Sequence, residues 1–308
     1  MNNAFHFATL VWDWPIAIYL LLVGISSGMV IIAVLLKRRI PPAEVADDII
    51  IRAATVIAPL AVMLGLAILI FHLARPWTFW YLMIYYNPRS VMSLGVMLFQ
   101  VYMVILMLWI LNIYHKNFTG NGRYARAARY IGRFNVLLDT LVAALAILLG
   151  VYTGCLLLAL KSYPLLNNPI LPLLFLTSGL ASALAVATLC RGIFFNGPAP
   201  SSLPLLQRFE KPLIWVELSL LMLFFLGLFY GGEKKHLAAL TALQGFWGAI
   251  FWAGIVGCGI VLPLLLNLLC NSRFRHRRGF LLATAGIGLC SVLLLRMFIL
   301  YAGQMVTA

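Results

Sequence analysis

Long apolar stretches alternate with short polar connections along the whole chain. Eight stretches hold about 20 residues or more, enough at a rise of about 1.5 Å per residue to cross a hydrocarbon core of roughly 30 Å. Continuous apolar runs of this length predict helices, because the strands of a membrane barrel are shorter and alternate in polarity. The predicted spans are Pro15–Leu36, Ala54–Leu73, Met92–Asn112, Val136–Leu160, Leu171–Cys190, Leu213–Gly231, Gln244–Leu269 and Phe280–Gly303.

The pattern therefore predicts an all-α integral membrane protein that forms a single membrane domain over residues 1–308. Composition agrees, because 64% hydrophobic and 10% charged residues exclude the soluble classes. The net charge of +14 does not indicate a nucleic-acid partner, since Lys and Arg gather in short connections beside the span ends.

The basic residues also predict an orientation. Sixteen of the 22 Lys and Arg lie in or beside the connections that follow spans one, three, five and seven, and five lie on the opposite side. The positive-inside rule makes the first side, called the basic side below, cytoplasmic. Both chain ends are then predicted on the opposite, outer side.

Two stretches of small residues and two span endings recur at nearly constant separation. This self-similarity predicts two parallel repeats of four helices, residues 1–160 and 161–308. Small residues on a helix face also predict close packing of helix backbones. The matching segments are Gly24–Gly28 with Gly179–Ala183, and Tyr152–Gly154 with Tyr301–Gly303.

Polar groups inside the spans are few, and an ionised group near the bilayer centre costs about 2.5–3.5 kcal/mol on insertion scales. Topology places one set at the outer ends: Asp13, His72, Arg75, Ser90, Ser93, Tyr152 and Arg296. We expect His72 and Arg75 to share a pocket with Asp13 or Arg296, because unpaired groups are costly there. Two acidic residues, Asp139 and Glu217, fall near basic-side entrances and form a candidate proton path. Snorkelling to the interface is the alternative for the charged residues.

Ligands for a bound redox metal are scarce. The five cysteines show no C-x-x-C spacing, and of the five histidines only His72 falls within a predicted span, at its end. A b-type haem in a helix bundle usually takes two histidines. We therefore expect no haem, no iron–sulfur cluster and no metal in this chain.

Several blocks of sequence resemble the NrfD/polysulfide-reductase membrane-subunit family. The resemblance covers the whole chain, up to the ending Tyr301–Gln304. Its blocks are Val11–Leu20 with Gly24–Gly28, Phe71–Trp80 with Ser90–Gly95, and Tyr152–Gly154 with Lys161–Pro164, Asn167–Pro169 and Leu171–Phe175.

The resemblance implies a quinol dehydrogenase subunit of the bacterial inner membrane, inactive alone, with menaquinol or another quinone as bound substrate. It also implies a periplasmic, ferredoxin-like iron–sulfur partner with four clusters. In the nitrite-reducing branch of the family, electrons continue to a multihaem cytochrome c nitrite reductase, which makes ammonium. Other branches serve polysulfide or thiosulfate reductases.

The resemblance further implies a quinone site near the outer side, whose tyrosine corresponds to Tyr152. A carboxylate or imidazole can accept the protons of a quinol, and a phenol or guanidinium can hold its oxygens. We therefore expect catalytic roles for Tyr152, His72 and Asp13. Quinone contacts are expected from Tyr152, His72, Arg75, Ser93 and Arg296.

The electron acceptor would dock on the outer side, at the amino-terminal segment up to Trp14, the Trp77–Arg89 connection and the Lys161–Pro169 connection. The Trp77–Arg89 connection is rich in Trp and Tyr, which suits a protein interface or a membrane-interface belt.

Two functions of other classes stay open. Parallel repeats suit a secondary transporter, but transport sites usually lie near the midplane, where these spans carry few charges. A structural anchor for a periplasmic reductase would explain the topology but not the polar groups at the outer ends.

Overall fold

The protein is an all-helical, multi-pass membrane protein. The computed structural model describes residues 5, 7, 9–42, 44–73, 75–114, 134–194, 203–269 and 278–307. Across these ranges eight helices are long and apolar enough to cross a membrane, which confirms the number of predicted spans.

Each half of the chain contributes four spans and a short helix on the outer side. In the first half the spans are α1 (Trp14–Lys37), α2 (Ile49–Phe71), α4 (Val91–Ile113) and α5 (Asn135–Leu158), and the short helix is α3 (Phe79–Ile84). In the second half the spans are α6 (Leu171–Phe194), α7 (Leu203–Phe229), a composite seventh span and α11 (Arg278–Gly303), and the short helix is α8 (Glu233–Leu243). The seventh span comprises α9 (Gly245–Ala249), a π-helical segment (Ile250–Val261) and α10 (Leu262–Leu269).

Helix ends differ from the prediction where polar residues extend a span beyond its apolar part. Helix α2 begins five residues early, because Asp48 Oδ1 accepts hydrogen bonds from the N–H groups of Ile50 (2.9 Å) and Ile51 (3.2 Å). It ends at Phe71, so His72 lies beyond the helix. Helix α7 begins ten residues early, at Leu203. Hydropathy marks only the lipid-facing part of such helices.

The centre of the molecule is the contact between α1 and α6, where the two small-residue stretches meet. A Cβ atom placed on Gly24 would lie 3.3 Å from Gly179 Cα, and one on Gly179 would lie 3.2 Å from Gly24 Cα. This confirms the predicted packing role of the small residues. Matching positions touch each other reciprocally, as a two-fold relation between halves requires. The division into two repeats itself stays a prediction.

An amino-terminal strap, the described residues between Phe5 and Asp13, crosses the outer end of the second half. Gln304 Oε1 accepts from the N–H groups of Val11 (2.8 Å) and Trp12 (3.0 Å), and its Nε2 donates to the Trp12 carbonyl (3.0 Å). Phe5 packs edge-on against Tyr301, with ring centroids 5.6 Å apart. The two chain ends therefore lie on the same side of the bundle.

The α1–α6 contact predicts that Gly28 tolerates no side chain. A Cβ there would lie 2.5 Å from the Gly179 carbonyl oxygen and 2.7 Å from Ala183 Cβ, so Gly28→Ala should lower stability by about 1–3 kcal/mol. The measurement is thermal unfolding of the purified protein in detergent. Gly286→Ala is the matched control, because a Cβ at Gly286 meets nothing within 4 Å. Equal unfolding temperatures for both variants would contradict the proposed contact.

Candidate functional site

Tyr152 lies in an aromatic enclosure formed by three spans. A Cβ on Gly95 would lie only 1.8 Å from the Tyr152 hydroxyl oxygen, so the phenol rests on the bare backbone of α4. The Tyr152 ring meets Phe99 edge-on, with centroids 6.2 Å apart, and Phe99 packs in turn against Tyr19 of α1 at 6.3 Å. Only glycine fits at position 95, because any side chain there would displace the Tyr152 phenol.

These residues share one depth. Gly95, Tyr19 and Phe99 lie about 6, 8 and 12 Å from the outer ends of their helices, and Tyr152 lies about 9 Å from the outer end of α5. The enclosure therefore occupies the outer third of the bundle, in the first half of the chain. This agrees with the outer depth predicted for Tyr152.

The Tyr152 hydroxyl is available to a ligand. Its side chain is half-buried, whereas Phe99 and Tyr19 are almost fully enclosed. Within the described ranges the hydroxyl makes no hydrogen bond to the protein. A phenol can donate and accept a hydrogen bond, and the enclosed rings of Phe99 and Tyr19 hold this phenol in place. The arrangement can offer a hydrogen bond to an oxygen atom of a ligand.

Ser93 is buried beneath the connection that leads into α4. Its Oγ accepts a hydrogen bond from the Asn87 N–H at 2.8 Å, and its own N–H donates to Ser90 Oγ at 3.4 Å. The hydroxyl therefore holds the start of α4, two residues before Gly95. Its expected quinone contact stays a prediction.

The residues around α3 form an exposed aromatic patch: Phe71, Trp77, Trp80, Tyr81, Tyr85 and Tyr86. The patch is anchored on α4, because the Tyr86 hydroxyl donates to Gln100 Oε1 and Gln100 Nε2 donates to the Met83 carbonyl at 3.3 Å. Gln100 lies about 14 Å along α4 from its outer end. That depth is nearly halfway along α4, so it favours contact with lipid over docking of a protein outside the membrane.

His72 and Arg75 are not brought together with Asp13 or Arg296. Both side chains are exposed, and neither forms a side-chain hydrogen bond or ion pair with the described part of the chain. The expected shared pocket is therefore wrong. The physical reason is that α2 ends at Phe71, which leaves both residues in the turn outside the bundle.

Asp13 is half-buried at the start of α1, on the side of the second half. The next residue, Trp14, donates its N–H to the Tyr301 hydroxyl at 3.1 Å, and Asp13 acts electrostatically on Tyr301. Asp13 forms no side-chain cap for α1. Its neighbour is thus Tyr301, which matches Tyr152 in the predicted repeat, rather than Tyr152 itself.

Arg296 lies about 10 Å from the outer end of α11, the depth that was expected, but it is fully buried, so it does not snorkel to the interface. Its guanidinium lies 3.7 Å from the centroid of the Phe175 ring, and Nη2 donates to the Phe175 carbonyl at 2.9 Å. A Cβ on Gly24 would approach Nη2 to 3.4 Å, so the missing side chain makes room for the charge. Nε and Nη1 are buried without a hydrogen-bond partner in the described ranges.

Glu217 lies in the middle of α7 rather than near its basic-side entrance. Because α7 begins at Leu203, Glu217 is about 21 Å along the helix. It lines a cavity of the second half and interacts electrostatically with Arg296.

Asp139 lies near the basic-side entrance of α5, as predicted, and belongs to a buried polar network. Its Oδ1 accepts from Lys37 Nζ at 2.6 Å and from Trp109 Nε1 at 2.7 Å. Asn135 Oδ1 accepts from Lys37 Nζ at 2.6 Å and from Asn112 Nδ2 at 2.7 Å. The network joins α1, α4 and α5. A proton path through Asp139 and Glu217 stays a prediction.

Three residues of the enclosure, Tyr19, Gly95 and Phe99, are not among the predicted site residues. Tyr19 and Gly95 lie within the sequence blocks of the family resemblance, and Phe99 follows Gly95 by one helical turn. The spacing of four residues places Gly95 and Phe99 on the same face of α4. The sequence does not show that this face meets Tyr152, and the structure does.

Metal ligands do not cluster in the described part of the chain: it contains no group of three His, Cys, Asp or Glu side chains placed to hold a metal ion.

Comparison with known proteins shows similarity over the full length. The family model described as polysulphide reductase, NrfD, matches residues 2–308. The chain is 47% identical to protein NrfD of Escherichia coli, over 100% of this chain and 99% of that protein. It is 42% identical to the NrfD homolog of Haemophilus influenzae, over 99% and 98% of the two proteins. It is also 38% identical to a polysulfide reductase subunit of Wolinella succinogenes, over 97% and 96%.

The Lys37–Asp139 pair predicts a non-additive effect on stability. Both side chains are less than one-tenth exposed, so Asp139→Leu should strand the Lys37 charge and cost about 3–5 kcal/mol. Lys37→Met combined with Asp139→Leu should restore much of that loss, because no charge is then left unpaired. Thermal unfolding of the two single variants and the double variant measures the coupling. A double variant as unstable as the sum of the single variants would contradict the network.

Proposed function

This chain belongs to the NrfD polysulphide reductase family, and from that premise we propose that it is the quinol-oxidising membrane subunit of a respiratory oxidoreductase. In this proposal the protein spans the bacterial inner membrane with both ends in the periplasm. It takes two electrons from menaquinol or a related quinol and passes them to a periplasmic iron–sulfur protein with four clusters. A cytochrome c nitrite reductase, which converts nitrite to ammonium, then receives them.

The observation that carries this proposal is the free Tyr152 hydroxyl above Gly95, enclosed by the rings of Phe99 and Tyr19. The enclosure offers a hydrogen-bonding group for a quinol oxygen, and its two buried rings fix the position of that group. The anchored aromatic patch lies beside α4 at a similar depth, where an isoprenoid tail would remain in lipid. A transporter or a plain anchor requires no such group at the outer side.

Oxidation of a quinol releases two electrons and two protons. In our proposal Tyr152 holds one quinol oxygen and orients the ring toward the outer surface. Among the other residues expected at the site, Asp13 and His72 lie on the outer side and outside the enclosure, where they can receive the two protons of the quinol through water. Arg296 is enclosed by protein, so in this proposal it acts on the site only through its charge.

The docking surface in this proposal is formed by the amino-terminal strap and the Lys161–Pro169 connection. The two are joined, because the Tyr163 hydroxyl donates to the Thr9 carbonyl at 2.9 Å and Thr9 Oγ1 donates to the Gln304 carbonyl at 2.6 Å. Lys161 and Ser162 are exposed on this surface. Both segments were expected to contribute, whereas the aromatic patch fits the membrane interface better.

A second candidate differs only in the terminal acceptor. The 38% identity with the polysulfide reductase subunit is high enough for the same quinol-oxidising role to serve a sulfur-compound reductase. Assaying the purified complex with nitrite and with polysulfide distinguishes the two acceptors.

The first prediction from the proposed function concerns the Tyr152 phenol. Tyr152→Phe should lower quinol oxidation by about 10- to 100-fold, since one hydrogen bond to a reacting oxygen is lost, without impairing assembly. Tyr301→Phe is the matched control, because it removes one hydroxyl at the corresponding position of the second half. Quinol-dependent reduction of an artificial acceptor by the purified complex gives the rates. Equal rates in wild type and Tyr152→Phe would contradict the proposed contact.

The second prediction tests the space around the phenol. Gly95→Ala should displace Tyr152 and weaken quinol binding while leaving the fold intact, since the side chain above it is only half-buried. The measurement is the Michaelis constant for a short-chain quinol, together with thermal unfolding. A raised Michaelis constant at an unchanged unfolding temperature supports the site. An unchanged Michaelis constant would remove Gly95 from it.

The third prediction tests the docking side. A photo-cross-linking residue at Ser162 should capture an iron–sulfur protein in intact cells. The same residue at Arg39, exposed at the basic end of α1, should not capture it. Capture from Arg39 alone would overturn the proposed orientation.

A further inference from the structure

A cavity of about 530 Å³ opens within the second half, between α7 on one side and the seventh span with α11 on the other. Helix α7 packs mainly against α6, the seventh span packs mainly against α11, and α6 and α11 pack closely together. The cavity therefore lies between α7 and the seventh span, with α6 and α11 behind it. Its volume is within the range of about 300–1,000 Å³ that is usual for small-molecule sites. The Tyr152 enclosure lies in the other half of the chain and shares no residue with it.

The cavity is long and starts at the basic side. Its lining extends along α11 from Phe280 to Leu295, a distance of about 22 Å. One leaflet of the hydrocarbon core is about 15 Å deep, so an extended acyl chain of that leaflet fits this length.

The wall is mostly aliphatic, and its hydroxyl groups are already satisfied. Thr188 Oγ1 donates to the Leu184 carbonyl at 2.8 Å, and Thr284 Oγ1 donates to the Phe280 carbonyl at 2.9 Å. Ser291 Oγ donates across to the seventh span, at the Gly254 carbonyl (3.1 Å). These groups leave little demand for water, so the wall favours an apolar occupant.

Glu217 is the ionisable group deep in the lining. It interacts electrostatically with the buried Arg296, but the two side chains form no salt bridge within 4.0 Å in the described part of the chain. Around Glu217 the lining is otherwise mostly aliphatic.

The mouth of the cavity is basic. Arg208 and Lys211 line it and are exposed, and Glu210, which also lies there, has a partner of its own. Arg191 follows Thr188 by three residues on α6, on the face that lines the cavity, and its Nη1 is buried without a hydrogen-bond partner in the described ranges. Three cations at the membrane surface match a phosphate group.

We propose that this cavity is a binding site for an anionic phospholipid. One acyl chain occupies the space between α7, the seventh span and α11. The phosphate group lies at the mouth, near Arg208, Lys211 and Arg191. Basic pockets between membrane helices are typical sites for anionic headgroups. The lipid would complete the second half, where α7 and the seventh span stand apart.

The headgroup is tested by native mass spectrometry of the delipidated, full-length protein. Phosphatidylglycerol should bind, and phosphatidylcholine with the same chains should bind much more weakly. Arg208→Gln combined with Lys211→Gln should weaken phosphatidylglycerol binding by about 30-fold, since two cations near the phosphate are lost. Lys234→Gln combined with Lys235→Gln, at the outer side, should leave it unchanged. Equal binding of both lipids, or equal effects of both double variants, would overturn the proposal.

The acyl chain is tested by filling the cavity. Gly288 lines it, so Gly288→Phe should abolish photolabelling of α7 and α11 by a phosphatidylglycerol with a photoreactive group at its chain end. Gly286→Phe is the control, because Gly286 faces open space outside the lining. Thermal unfolding checks that both variants fold. Labelling that survives Gly288→Phe, or displacement of the lipid by a menaquinone analogue, would contradict an acyl-chain site.

Discussion

The contact between the bare backbones of α1 and α6 is the constraint on which the rest of the structure depends. Gly24 and Gly179 face each other closely enough that a Cβ on either would touch the other's backbone. This approach makes α1 the most enclosed of the described spans, and the two halves of the chain pack around it. It also leaves, beside Gly24, the space that the guanidinium of Arg296 occupies.

Buried charged side chains make different kinds of contact in the two halves of the chain. In the first half Asp139 is neutralised by Lys37 and bonded to Trp109, so the network stabilises the basic end of the bundle. In the second half the Arg296 guanidinium donates to the Phe175 carbonyl and lies over the Phe175 ring, and the charge of Glu217 acts on it from a greater distance. The first half is thereby closed at its basic end and keeps a free phenol near its outer end. The second half is crossed by the strap at its outer end, and its described residues leave a cavity that reaches its basic end.

Much of the fold follows from sequence, because apolar length and loop charge are strong signals in a membrane protein. The number of spans and the role of the Gly24 and Gly179 stretches follow directly. The outer depth of Tyr152 follows from counting residues along its span. The rotation of a helix about its own axis cannot be predicted from apolar length and loop charge. In α11 this rotation directs Arg296 toward α1 and α6 instead of the surface. Hydropathy also does not show helix ends that lie beyond the apolar stretch, such as the start of α7, and it therefore misplaced Glu217.

Whether quinol binds in the enclosure at Tyr152 can be measured with a photoreactive quinone analogue. The purified complex is illuminated with the analogue, and the labelled peptides are identified by mass spectrometry with and without excess menaquinol. We expect labelling of the outer parts of α4 and α5, around Gly95 and Tyr152, and excess menaquinol should suppress it. Labelling confined to the second half, or to the basic ends of the spans, would show that quinol does not bind there.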